Sequence, residues 1–231
     1  MENGDHAPPA CIGIIMDGNR RWAKERGLST SEGHTRGYAK AKEAARWCRD
    51  AGVKYLVLYA FSSENWERPS PEVSYLTGMF NDFIFSEAEE LRTENGAVRF
   101  IGDINRFGEK FAAQAKHLED TNPKDPSATV VIALSYGGRQ EILRAVNEIV
   151  KEHPHKEIGE EEFAGHLYTN GIPDPELIIR TSGEHRLSGF LPWQSIYSEL
   201  FFVSKHWPDF AEEDFKQILA EYAARERRHG K

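Results

Sequence analysis

The sequence predicts an α/β domain built on a central, mostly parallel six-stranded sheet covered by helices. Three observations carry this. The short strand-like runs are apolar throughout instead of alternating, as strands buried on both faces are. Helical periodicities separate them. No internal repeat or low-complexity linker interrupts the alternation, so residues 11–231 read as one domain behind a flexible N-terminal tail at 1–10.

The first strand is Ile12–Met16, which runs into Asp17-Gly18-Asn19-Arg20-Arg21-Trp22 at a strand-to-helix handover. A helix over His34–Ala51 has Tyr38, Ala41, Ala45 and Cys48 on one face and stops at Gly52. Tyr55–Phe61 is the second strand and Pro71–Thr93 a long helix. Asn95-Gly96 marks a turn before the strand Val98–Ile101. Arg106–Thr121 reads as helix, and the two prolines of 122–127 as a loop. The strand Thr129–Ser135 leads through Gly137-Gly138 into a helix over Arg139–Glu152. A short helix at Glu160–Thr169, strands at Leu177–Arg180 and Leu200–Val203, and a closing helix at Ala211–Arg228 complete the order.

Bulk composition narrows the function. The formal charge of −8, from 29 basic and 37 acidic residues, speaks against general nucleic-acid binding, which needs a basic field. No apolar run approaches the ~18 residues of a membrane span. The first ten residues include Glu2 and Asp5 and no apolar core, so they do not read as a signal peptide. Cys11 and Cys48 lie in apolar contexts with no partner spacing, which fits buried thiols in a cytoplasmic protein. The acidic runs at 87–94, 157–162 and 212–214 read as solvated faces.

Three polar clusters stand at strand ends, where open α/β sheets bind ligands. Asp17 to Trp22 joins a carboxylate, a permissive glycine, an amide and two guanidinium groups, a set suited to a polyanion held with a divalent metal. Ser62-Ser63-Glu64-Asn65-Trp66-Glu67-Arg68 follows the second strand, where an ordinary polar turn would look the same. The third cluster follows Ile179: Arg180, Arg186 and Ser188 offer anion donors around Leu187, and His185 is either a structural hydrogen-bonder or a metal ligand. Glu199 precedes the last strand. There is no Walker motif, no G-x-G-x-x-G and no zinc spacing. Oxygen ligands with phosphates point to Mg²⁺.

At these residues the chain resembles the cis-prenyltransferases, the undecaprenyl diphosphate synthase-like family. The matching pieces are MDGNRRWA, GHTRG, LYAFSSENWERP, IGD at 101–103, YGGR, IIRTSGEHRLS, WQSIYSELFF and RERRHG, colinear from residue 11 to 230. The resemblance implies the cis-prenyltransferase fold, a homodimer, and Mg²⁺-dependent transfer of an allylic prenyl group to a second C5 diphosphate. Asp17 resembles the essential aspartate at the donor diphosphate and metal. Gly18, Asn19, Arg20, Arg21 and His34 resemble the donor-diphosphate cradle. Trp22, Ser62, Ser63, Glu64, Trp66 and Arg68 resemble substrate contacts, and Asn65 the residue assigned to proton removal, with Ser62 or a diphosphate oxygen completing a relay. Arg180, Arg186, Leu187 and Ser188 resemble the acceptor-diphosphate clamp. Glu199 resembles a second metal position with His185 as its neighbour. Arg228 and Gly230 resemble the C-terminal element that reaches the partner subunit's acceptor site.

The sequence departs from the family pattern at Thr30, where an arginine is usual, at Ser135, at Ser182 and at Pro192. On the long helix, Val73, Leu76, Phe80 and Phe83 form one face that Tyr75 and Met79 widen. In long-chain members the position of Tyr75 is small, because the product tunnel runs there. A tyrosine implies a blocked tunnel and a short product, about C10 to C15. The expected activity is therefore short-chain prenyl diphosphate synthesis. The alternative is head-to-middle coupling of two dimethylallyl diphosphates, of the lavandulyl type and open to cyclisation. A third reading is a non-catalytic partner subunit, against which the intact donor cradle argues. A phosphatase gains no support, because no nucleophile stands beside a base in the sequence.

Overall fold

The structure, a computed structural model, describes residues 7–155 and 157–225, and of residues 82–93 the backbone alone. The strands are β1 (Cys11–Ile15), β2 (Tyr55–Ser62), β3 (Gly96–Ile101), β4 (Ala128–Tyr136), β5 (Leu177–Arg180) and β6 (Glu199–Phe202). Their order is β3-β4-β2-β1-β5-β6, and every pairing is parallel. The sheet is thus wholly parallel, beyond the mixed character the sequence allowed. β1 and β5 are buried along their full length, which is why their side chains are apolar on both faces up to Arg180, the buried last residue of β5.

The helices are α1 (Asn19–Glu25), α2 (Thr30–Asp50), α3 (Ser70–Thr93), α4 (Glu109–Asp120), α5 (Gly138–Glu152), α6 (Glu160–Gly165) and α7 (Glu212–Ala224). Local chemistry accounts for two of the differences from the expected boundaries. α2 starts at Thr30, not His34, because Ser29 and Glu32 form a capping box: Ser29 Oγ accepts from the Glu32 N–H, and the Glu32 carboxylate accepts from the Ser29 N–H. The helix expected over 106–121 is divided by Gly108, at φ 98, into a 3₁₀ turn (Ile104–Phe107) and α4. α6 ends at Gly165, short of Thr169.

The connections place the site. The connection that leaves the carboxyl end of β1 runs to β2 on one side, and the connection that leaves the neighbouring β5 runs to β6 on the other. Such a switch point opens a crevice above the strand. A shift of register in β2 between Tyr59 and Ser62 turns the end of that strand towards the same crevice. Beneath it, Ile12, Ile14, Leu56 and Ile179 pack with Trp207, Phe210 and Phe215. A second, aromatic cluster of Phe61, Phe80, Phe100 and Phe111, with Trp66 and Phe107 against it, fills the space between α3, α4 and the sheet.

Candidate active site

Two adjoining cavities open at the carboxyl end of β1. The inner one, about 490 Å³, is lined by Asp17, Asn19, His34, Ser62, Glu64, Asn65, Arg68, Arg180 and Ser188, with Ile15, Met16, Tyr59, Ala60 and Leu76 as its apolar surface. The outer one, about 830 Å³, adds Gly18, Arg20, Arg21, Lys24 and the 27–30 turn. They share Met16, Asp17, Asn19, His34 and Arg68. Three segments distant in sequence converge here because each follows a neighbouring strand of a parallel sheet.

Asp17 is the centre of this convergence. Its carboxylate accepts from Arg180 Nη2 at 2.9 Å and lies 3.3 Å from Arg21 Nη2. Burial opposes its ionisation, but the hydrogen bond and charge of Arg180, with the charge of Arg21, outweigh burial and hold its pKa below the ordinary 3.8. Its backbone carbonyl is fixed by Thr181 Oγ1 at 2.7 Å and by the Trp207 N–H at 3.0 Å. Arg180 is itself buried and also donates to Ser188 Oγ at 2.8 Å and to the Arg186 carbonyl.

On the α3 side, Glu72 is a residue that sequence reasoning missed. Its carboxylate meets His34 Nε2 at 3.3 Å, Arg68 Nη1 at 3.0 Å and Arg20 Nε at 3.8 Å. Glu184 likewise joins Arg21, at 2.9 Å, to Arg186. The cationic groups of both halves are thus held in place by carboxylates on α3 and in the 181–188 loop. Burial lowers the pKa of His34, and the charges of Arg68 and Arg20 lower it further, against the Glu72 hydrogen bond that raises it. His34 is therefore neutral at pH 7.

Asn65 Oδ1 accepts from the Ser62 N–H at 3.1 Å, which commits that oxygen to the turn and leaves the amide NH₂ as its free donor. Both residues line the inner cavity.

Several expected contacts do not reach either cavity. Trp22 donates Nε1 to Asp209 at 2.8 Å and stacks under Arg26, on the outer side of α1. Ser63 packs against Gly137, where a Cβ would come within 2.4 Å of its hydroxyl. Trp66 donates Nε1 to Ser135 Oγ at 2.9 Å and belongs to the aromatic cluster, edge-on to Phe61. Leu187 packs into the core, and Arg186 turns out to Glu184. Tyr75 does not stand in the cavity: its hydroxyl bonds Thr35 Oγ1 at 2.7 Å and the Ser31 carbonyl at 3.2 Å, tying α3 to the first turns of α2. Leu76 and Ala60 line the cavity instead.

The expected metal group does not assemble within one chain. The register pairs Glu199 with Leu177 and Arg180 with Phe202, so Glu199 lies at the amino end of the sheet and Asp17 beyond its carboxyl end. That separation is on the order of 15–20 Å, several residues along the strands and two strand spacings across. Glu199 pairs with Arg225, and His185 is exposed and stacked on Phe202. Among the described residues no three His, Cys, Asp or Glu side chains converge on one point. Arg228 and Gly230 lie outside the described residues, as does the side chain of Phe83.

One arrangement was invisible in the linear sequence. Ser182 Oγ lies 2.7 Å from His206 Nδ1, and His206 Nε2 lies 3.0 Å from Glu25 Oε1. A hydroxyl does therefore stand beside a base. It is buried behind Gly18 and lines neither cavity, so it is closed to substrate.

The chain has relatives that match it over almost its whole length. The prenyltransferase family model for undecaprenyl diphosphate synthase matches residues 15–230. The isoprenyl transferase of Thermotoga maritima is 46% identical over 225 residues, covering 96% of this chain and 97% of its own. The (2E,6E)-farnesyl-diphosphate-specific ditrans,polycis-undecaprenyl-diphosphate synthase of Micrococcus luteus is 44% identical over 227 residues, covering 96% and 91%. Among solved structures, lavandulyl diphosphate synthase from Lavandula x intermedia, in complex with dimethylallyl diphosphate, aligns with a TM-score of 0.92 at 34% identity, covering 98% of this chain and 100% of that one.

Proposed function

Since the chain belongs to the undecaprenyl diphosphate synthase family and is a prenyltransferase, we propose that it transfers a dimethylallyl or geranyl group to a second C5 diphosphate and stops at a short product, about C10 to C15. The observation that carries this reading is the pairing of two sets of anion donors across Asp17. Arg20, Arg21, His34 and Arg68 stand on one side, and Arg180 and Ser188 on the other, around one apolar-walled cavity. Two diphosphates and a short hydrocarbon need that combination.

In this reading the donor's diphosphate lies on the α1 side and the acceptor's on Arg180 and Ser188. The arginines stabilise charge that grows on the leaving oxygen as the allylic C–O bond breaks. Ile15, Met16, Ala60 and Leu76 keep water from the allylic cation. The acceptor's double bond takes up the cation, and a proton then leaves. With Asn65 Oδ1 committed to the turn, a departing diphosphate oxygen is the better proton acceptor, and Ser62 can pass the proton on.

Asp17 fits Mg²⁺: it is an ionised carboxylate facing both cavities, and a hard cation with a single protein carboxylate completes its shell from phosphate and water. When bound there, the ion would neutralise charge on the leaving diphosphate.

The short product is supported by the wall behind the cavity. Phe61, Phe80, Trp66 and Phe107 pack edge to face with centroids 5.0 to 6.0 Å apart beyond Leu76 and Ala60, and Tyr75 closes the seam between α2 and α3. A homodimer is supported by exposed apolar side chains on neighbouring segments: Leu143, Val146 and Val150 on α5, and Ile196, Tyr197 and Leu200 around the start of β6. No described helix is long and apolar enough to cross a membrane, and the buried free thiols of Cys11 and Cys48 fit a cytoplasmic enzyme.

The likeness to lavandulyl diphosphate synthase favours a second reading, head-to-middle coupling of two dimethylallyl units. Incubation with dimethylallyl diphosphate and Mg²⁺, with and without isopentenyl diphosphate, separates them. Regular synthesis gives product only with both substrates. A branched C10 product from dimethylallyl diphosphate alone assigns the irregular coupling.

A further inference from the structure

The chain Ser182–His206–Glu25 reaches the site from behind, running from a buried hydroxyl through a half-buried imidazole to an exposed carboxylate. Glu25 is the last residue of α1, and His206 follows β6. With the Glu25 carboxylate accepting from His206 Nε2, Nδ1 is left to accept the Ser182 hydroxyl proton. The chain passes directly over Gly18, the residue that opens α1 at φ 108. A Cβ there would lie 2.7 Å from Ser182 Oγ and 2.8 Å from His206 Nδ1.

Two features say that this contact has a purpose beyond filling space. Ser182 sits at φ 78, a left-handed conformation that disfavours any side chain, and its hydroxyl bond to His206 accounts for a serine being held there. α1 is also only seven residues long, and Gly18 gives it no side-chain cap. So short a helix has no stable direction of its own and takes it from its anchors. At its start the anchors are the Thr181 and Trp207 bonds to the Asp17 carbonyl; along its outer side Trp22 and Arg26 bond Asp209, and at its end Glu25 bonds His206 on the side that faces Gly18. Between them stand Arg20 and Arg21, half-exposed, whose guanidinium groups reach the carboxylates of Glu72, Asp17 and Glu184 only as far as the direction of α1 lets them.

We propose that Ser182, His206 and Glu25 form a positioning relay that sets the direction of α1 and thereby the affinity of Arg20 and Arg21 for a diphosphate. This rests on the reading that those arginines hold the donor's diphosphate.

The test is calorimetric binding of inorganic diphosphate to wild type, Arg21→Ala, His206→Ala, Glu25→Ala, Glu25→Gln and the Glu25→Ala/His206→Ala double variant. Arg21→Ala weakens binding if the donor-site reading holds. His206→Ala and Glu25→Ala each weaken it about three- to tenfold, and the double variant is no weaker than the worse single one. Glu25→Gln keeps the hydrogen bond and retains wild-type affinity. Charge alone predicts the opposite for Glu25→Ala, because removing a carboxylate near an anion site tightens binding. Glu25 is exposed, so that variant also tests the relay if His206→Ala fails to fold. Unchanged affinity in Glu25→Ala, or fully additive losses, with Arg21→Ala still weak overturns the relay alone. Unchanged affinity in Arg21→Ala overturns the donor-site reading and the relay with it.

Discussion

Arg180, 4% exposed, donates Nη2 to Asp17 Oδ2 at 2.9 Å across 163 positions of sequence. This single contact joins the turn after β1 to the last residue of β5, and so joins the two cationic halves of the site. Asp17→Asn keeps the shape of the contact and removes its charge, and turnover is expected to fall at least about 100-fold. Asp17→Ala leaves a buried guanidinium short of its partner and should also cost about 1–3 kcal/mol of stability. Because Asp17 has a lowered pKa in the folded state, its contribution is full above the ordinary 3.8 and lost as pH falls through the lower folded value. Steady-state rates and urea unfolding at pH 7 and near pH 3 check both parts.

His34 is expected to titrate below its ordinary 6.5, because burial disfavours the imidazolium and Arg68 and Arg20 add to that. Glu72 works against the shift, so Glu72→Gln should move the midpoint lower still. Inorganic diphosphate, an anion, should move it higher. Proton NMR of the imidazole across pH 5 to 8 gives all three midpoints.

Leu76 lines the cavity while Tyr75 ties α3 to α2 from outside. Leu76→Ala should therefore lengthen the product by at least one C5 unit, at a cost of about 2–4 kcal/mol for a buried leucine. Tyr75→Ala should lengthen it as well, by releasing the seam. Chain-length analysis and thermal unfolding of both variants check this. If Tyr75→Ala alone acts, the wall is at Tyr75 after all.

The strands and the layout of the site were legible because apolar runs such as Ile12–Met16 and Tyr55–Phe61 carry their burial in their composition, and polar residues at strand ends of a parallel sheet must converge. The neighbours of those residues were not legible. Nothing in the order of residues says that Trp22 turns to Asp209, or that Trp66 turns inward to Ser135, since side-chain direction is set by packing from elements far away. Glu72 escaped notice because it sits within a helix, where a glutamate reads as a solvated face. The family resemblance sets Glu199 beside Asp17 as a metal position, but Glu199 flanks the amino end of its strand and Asp17 the carboxyl end of its own, and only the register separates them. Ser182, His206 and Glu25 are spread from residue 25 to 206 and meet only in three dimensions.

Leu143 and Ile196 are 62% and 72% exposed, an unusual cost for apolar side chains left in water. Leu143→Glu or Ile196→Asp should convert a dimer to a monomer without loss of the fold, as read by sedimentation velocity and circular dichroism. Wild type that sediments as a monomer at micromolar concentration would remove the homodimer from the proposal.

The account turns on a cavity with two diphosphate subsites and a closed end. The most direct measurement is the product length of the wild-type chain given dimethylallyl, geranyl or farnesyl diphosphate with excess isopentenyl diphosphate and Mg²⁺, read by mass spectrometry. The expected result is a product of about C10 to C15. A ladder reaching C50 or beyond would contradict it.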